Sequence, residues 1–341
     1  MAKDISKREN WFQRNWKNNP LFSTGIALIV MIVLQTVALG FDFASFGDWL
    51  AKWTQNWINI LRNNSNVGMI ALGMTLVIIS GGIDLAVGST LVGVGALVMT
   101  LIDSGGWFAA NGFGGVPMYI AAVLIALIFG ALLGEINGVV ITKGRVPPFI
   151  ATLGAMKIIR SVTQHFTQNA SPKVPKEFLN IARFKIGDQI LLPIFYWLLL
   201  AAILYVITRY TAFGRHVYAV GSNERTTRLS GIDVDRVKRR VYALMGFIVA
   251  LSSVIQVARI GSMDYANAGS GYELDAIAAV IVGGTSMAGG RGSIIGTVLG
   301  MLIIAVMNNL LNLIGVPAFL REAFKGAIVI FAVLMQRKEK A

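Results

Sequence analysis

Long apolar stretches dominate the chain, and short polar or glycine-rich segments separate them. Ten stretches approach the length of a bilayer crossing, at roughly 21–40, 66–81, 84–102, 118–142, 147–165, 190–208, 241–259, 274–288, 293–313 and 320–336. About 20 apolar residues of helix cross a hydrocarbon core of ~30 Å. In lipid every backbone N–H and C=O needs an internal partner, so the stretches are predicted to be helices. A transmembrane barrel would show short alternating strands, and the pattern contains none. The expectation is an all-α polytopic membrane protein of about ten helices. Segment 1–20 precedes a transmembrane domain spanning 21–336, and 337–341 forms a tail. The first span is expected to be retained, since a long polar, basic leader precedes it and no clear small-residue cleavage site follows.

Composition supports the pattern. Of 341 residues 55% are apolar and 14% charged, and the mean hydropathy is +0.67; a soluble domain carries roughly 25% charged residues. With no cysteine and two histidines, His165 and His216, the chain lacks the means for a Cys/His metal site, a disulfide framework or a thiol nucleophile. A net charge of +13 would suggest nucleic acid in a soluble protein. Here its distribution argues for membrane orientation instead. Nineteen of the 30 Lys and Arg fall before the first span, in 143–145, in 209–240, at Arg291 and in the tail, and six fall in the alternate segments. The positive-inside rule then places both termini in the cytoplasm.

Two segments interrupt the helical pattern with glycine: Ser80-Gly81-Gly82-Ile83-Asp84-Leu85, and the run from Gly283 and Gly284 to Gly292. Glycine permits sharp turns and close helix approach, so each is read as either a broken helix beside a permeation path or an ordinary tight turn. Trp49, Trp53 and Trp57 share one helical face, as an interfacial anchor or a ligand platform.

Ionisable groups within spans are costly and usually face a partner or cavity. Asp84 is expected to cap the third span or to contact substrate or a gate. Glu273 and Asp275 suit the positive end of the eighth helix, or again a substrate. Asn137, Gln256, Asn308 and Asn309 could bond the hydroxyls of a substrate or neighbouring helices. Lys157 and Arg160 share a helix face and either snorkel to an interface or line a polar wall.

The largest hydrophilic inside loop is 209–240. Within it Asn223, Glu224, Arg225, Arg228, Leu229, Ser230, Gly231 and Ile232 read as a short capped helix. Asn223 suits the N-cap, Glu224 the positive dipole end, and Gly231 a left-handed C-terminal cap. Such a helix is either a solvated element of the loop or a rigid surface for a soluble motor.

This stretch resembles the cytoplasmic coupling motif of ABC importer permeases, in which an acidic residue and two alanines precede a glycine. Glu224 and Gly231 match, while Arg225 and Thr226 stand where the alanines would be, which alters the surface an ATPase must match. The resemblance extends from about 60 to 335 and is to the ribose/galactose/xylose permease family. It is carried by Ala71–Ile78, Ser80–Leu85, Val146–Gly154, Tyr272–Ala279 and the 283–292 run, in that order. It implies a multi-pass subunit of a prokaryotic plasma (inner) membrane that imports a pentose or hexose. Its expected partners are an ABC ATPase, an extracytoplasmic sugar-binding receptor and a second permease subunit, identical or related. No cofactor is expected in this chain; ATP and Mg²⁺ would sit on the ATPase, and no Gly-x-x-x-x-Gly-Lys-Ser/Thr loop occurs here. Nucleosides or other small polar solutes are the alternative cargo. An ion-coupled secondary transporter, for which Asp84 would supply the charge, and a membrane-embedded enzyme are the rival classes.

Overall fold

The protein is described from a computed structural model covering residues 20–41, 45–168, 172–317, 319–327 and 330. Segments 1–19 and 331–341, and so the end of the tenth predicted stretch, lie outside these residues.

The described chain is helical apart from a two-stranded ribbon, β1 (Lys185–Ile186) and β2 (Gln189–Ile190), turning at Gly187. This ribbon is an addition to the all-α expectation. The helices are α1 (Pro20–Leu39), α2 (Phe46–Ile79), α3 (Val87–Ile102), α4 (Trp107–Ala110), α5 (Gly115–Thr142), α6 (Pro148–Thr167) and α7 (Lys176–Arg183). After the ribbon come α8 (Leu192–Tyr210), α9 (Ala212–Ser222), α10 (Glu224–Leu229), α11 (Val234–Ile260), α12 (Tyr272–Val282) and α13 (Ile294–Leu313), then a helical stretch over 319–327. Among the described residues, six helical segments are long and apolar enough to cross a membrane: 21–39, 87–110, 115–142, 192–210, 234–260 and 294–313.

Two elements differ instructively from their predicted bounds. α2 joins the tryptophan segment to the second stretch in one 34-residue helix, capped by the Ser45 hydroxyl accepting from Asp48 N–H at 3.2 Å. The polar face of its first half lowers hydropathy, but 48–66 holds no Gly or Pro to stop the helix. Trp49, Trp53 and Trp57 pack against one another along it. α12, by contrast, has only 11 residues and stops at Gly283 instead of running to 288.

The core forms around α11, which packs against α2, α3, α5 and α7. Its closest approach is to α5, where Gly130, Gly134 and Gly138 recur every four residues along one face. A Cβ on Gly134 would overlap the Tyr242 carbonyl, and one on Gly246 would overlap that of Gly130. Backbones meet there because lipid offers no hydrophobic drive between helices, and close van der Waals contact must supply the association. The outward faces of α1, α5 and α8 remain apolar and exposed, with Ile29, Val33, Ile120, Leu124, Phe195 and Ile203 among them.

Candidate functional site

Segment 211–234 folds as three consecutive capped helices. The Thr211 hydroxyl accepts from Gly214 N–H at 3.2 Å and starts α9. The Asn223 side chain then accepts from Thr226 N–H at 2.9 Å and starts α10. The Asp233 carboxylate accepts from Arg236 N–H at 2.9 Å and starts α11. α10 ends in a Schellman turn: Gly231 N–H donates to Arg228 C=O at 3.0 Å and Ile232 N–H to Thr227 C=O at 3.3 Å. That turn requires a left-handed residue, and Gly231 supplies it at φ +79°.

Ion pairs tie α10 to the start of α11. Glu224 pairs with Lys238 at 2.7 Å and with Arg228 at 3.1 Å, and Arg228 also pairs with Asp235. The Lys238 hydrogen bond, helped by Arg228, holds the Glu224 carboxyl below its ordinary range. Hydrogen bonds from Asp235 and Glu224 push the Arg228 guanidinium further up. Thr227 is buried and Ile232 packs on the core, so the helix is anchored on that side. Leu229 stays 82% exposed. With Arg225, it forms an outward surface available to a partner.

Both glycine interruptions are Schellman turns as well. After α2, Gly81 N–H donates to Ile78 C=O and Gly82 N–H to Val77 C=O, each at 2.9 Å. After α12, Gly284 N–H donates to Ile281 C=O at 2.9 Å and Thr285 N–H to Val280 C=O at 3.1 Å. Gly81 (φ +83°) and Gly284 (φ +87°) occupy the left-handed position. The two turns are bridged: Gly290 N–H donates to the Ile79 carbonyl at 2.9 Å. The end of α9 seals this junction. A Cβ on Gly221 would overlap the same Ile79 carbonyl, and the Tyr218 hydroxyl donates to Gly292 C=O at 2.9 Å. The end of α2, the 283–293 loop and the α9–α10 elbow therefore meet at one end of the bundle.

The remaining predicted residues are not gathered there. Asp84 is buried, but α3 begins at Val87, so Asp84 is not the N-cap residue. Its carboxylate accepts from Ala86 N–H at 2.8 Å, closing a local turn before the helix. Gln256 accepts from Asn66 at 3.1 Å and from the Tyr272 hydroxyl at 3.3 Å, joining α2, α11 and α12. Asn309 exchanges bonds with Asn56 at 3.1 Å across α13 and α2. Asn137 is buried on α5, and the Asn308 side-chain oxygen is buried without a partner. Glu273 and Asp275 lie in the first turn of α12, where Asp275 pairs with Lys325 at 3.0 Å. Arg160 donates to the carbonyls of Tyr265, Ala266 and Ala268 and holds the loop before α12. No group of three or more His, Asp or Glu suited to a metal occurs among the described residues.

Sequence reasoning missed Ile79, Tyr218, Gly221, Lys238 and Asp235. The junction uses backbone atoms of Ile79 and the missing side chain of Gly221, neither of which has a compositional signature. Glu224 and Arg228 lie in the predicted capped helix, whereas Lys238 and Asp235 lie on the following helix.

Comparison with known proteins adds direct relatives. The profile described as "Branched-chain amino acid transport system / permease component" matches residues 56–333. The ribose import permease protein RbsC of Escherichia coli K12 is 42% identical over 323 residues, 92% of this chain and 93% of its own. That of Bacillus subtilis 168 is 42% identical over 288 residues, 84% of this chain and 86% of its own. The xylose transport system permease protein XylH of Escherichia coli K12 is 31% identical over 383 residues, 94% of both chains. No solved structure matches.

Proposed function

This chain belongs to the branched-chain amino acid transport system / permease component family, and we propose that it is the membrane-spanning permease subunit of an ABC importer of a monosaccharide. The observation that carries the reading is near end-to-end similarity to permeases named for ribose and xylose import. Permease subunits are not enzymes, and this one makes a path whose opening is driven from outside itself.

The finer reading is ten crossings with both termini in the cytoplasm, in a dimer of permease subunits. It is supported by where the basic loops converge. Lys143 and Arg145, the 209–240 segment and Arg291 sit at the end of the bundle where α10 lies. A cytoplasmic assignment for that end satisfies the positive-inside rule. α10 then receives a separate ATPase that carries ATP and Mg²⁺, and a sugar-loaded receptor docks at the opposite end. A push on α10 reaches the Ile79–Gly290 junction through the short α9 elbow, so ATPase closure shifts the ends of α2 and α12 together. Sugar passes between the two subunits as the helices reorient. Gly81, Gly82, Gly283 and Gly284 act in this scheme as fixed pivots, with Asp84 beside the first.

Reconstitution in proteoliposomes tests this. Ribose or xylose uptake that requires the ATPase, ATP and the receptor is the expected result. Uptake by this chain alone, driven by an ion gradient, would overturn it, and uptake of a nucleoside in place of a pentose would change the cargo.

A further inference from the structure

A cleft of about 540 Å³ opens beside α10, and its second wall is the α5–α6 connection. Arg145 to Pro148 form that wall; Glu224, Arg228, Asp235 and Lys238 form the other. The two walls differ in how their charge is used. On the α10 side both carboxylates are matched, Glu224 by Lys238 and Arg228, and Asp235 by Arg228. On the opposite side Arg145 is exposed and has no carboxylate partner among the described residues. The cleft thus holds unspent positive charge on one wall only.

That wall is stiff. Lys143 and Gly144 N–H groups donate to Val139 C=O at 2.8 and 3.3 Å, and Pro147-Pro148 opens α6. Arg145 itself sits at φ +53°, a conformation an arginine rarely adopts. Non-glycine residues held in this region cluster at ligand clamps and switch segments. The wall also connects inward, since the Thr152 hydroxyl on α6 reaches both Pro148 C=O at 2.9 Å and Ile83 C=O at 3.4 Å, next to the first glycine turn.

We propose that the cleft between Arg145–Pro148 and α10 is a second half of the ATPase docking surface, occupied by an acidic segment of that subunit whose carboxylates pair with Arg145. This rests on the reading that α10 receives the ATPase. An element seated there contacts α10 and α6 at once, so the motor reaches the first glycine turn from two sides.

The test uses the full-length permease in lipid nanodiscs and its purified ATPase, with affinity measured at low and at raised salt. Arg145→Glu should weaken binding about tenfold or more and flatten its salt dependence, because a repulsive pair replaces an attractive one. Arg145→Lys should keep most of the affinity. Arg145→Gly should lose affinity although it relaxes the backbone. Gly231→Val reports on α10 separately. If Gly231→Val binds poorly while Arg145→Glu binds like the wild type, the cleft proposal fails and the α10 reading stands. Wild-type binding by both removes both readings. Arg145→Gly behaving as wild type would reduce Arg145 to a backbone role and overturn the proposal. So would unchanged ATPase binding by Arg145→Glu accompanied by weaker retention of anionic vesicles, which would assign the cleft to lipid headgroups.

Discussion

The turns after α2 and after α12 share one local design and serve different tertiary ends. Each ends its helix with the same pair of hydrogen bonds around a left-handed glycine. After the first, only 83–86 remain before α3 begins, and Gly82 faces the tip of a side chain, the Tyr242 hydroxyl. That hydroxyl donates to Ile83 C=O at 3.1 Å. After the second, Gly283 faces backbone, the Gly296 carbonyl and Thr297 nitrogen of α13. The loop then continues to Gly290, which reaches back to the first turn. A side chain can rotate away from an added methyl group, whereas a packed helix backbone moves only as a unit. The same turn is therefore adaptable in one place and rigid in the other.

Breaking the rigid member should have the largest effect. Gly283→Ala must force α12 from α13, at a cost upward of about 3 kcal/mol, beyond ordinary overpacking. Loss of folded protein in detergent thermal unfolding is the expected outcome. A wild-type melting profile would show that the α12–α13 contact yields easily.

Gly82→Ala should cost less, about 1–3 kcal/mol, because Tyr242 must swing aside and lose its bond to Ile83. The double variant Gly82→Ala/Tyr242→Phe separates the causes. Removing the hydroxyl clears the methyl, so the double variant should be more stable than Gly82→Ala. Equal stability would place the strain elsewhere.

Gly81→Ala and Gly231→Ala isolate the backbone term. A Cβ on either meets nothing within 4 Å, so the left-handed φ alone sets a cost of about 1–2 kcal/mol. The two should be alike in stability and differ in function. Gly231→Ala should lower ATPase-coupled transport at normal protein levels, since it acts on the exposed α10. Equal transport by both variants would deny α10 its special part.

The smallest effect is expected from pH. Glu224 is held below its ordinary value of 4.5, so the stability it adds is present above that pH. It is lost as pH falls through the lower, folded value. ATPase binding should stay level down to about pH 4.5 and weaken below it in the wild type, through loss of the Lys238 and Arg228 pairs. Because the pairs are partly exposed, the change should be modest and reduced by salt. Glu224→Gln should lose this acid-dependent step; a step of equal size in that variant would assign it to Asp233.

The sequence alone determined the membrane class, most helix positions and the capped helix at 223–232. Those features depend on local physics: apolar length, the Asn223 N-cap and the left-handed glycine at 231. It also carried the family, because several long motifs stand in order along the chain. Sequence reading did not place the end of α12, since Gly-Gly marks either a pause or a stop. Only the tertiary structure decided that the two glycine turns touch, that Gly221 closes on the Ile79 carbonyl, and that Arg145 faces α10 across a cleft. These contacts join residues tens to hundreds of positions apart through backbone atoms that every residue possesses, so no local pattern in the sequence announces them.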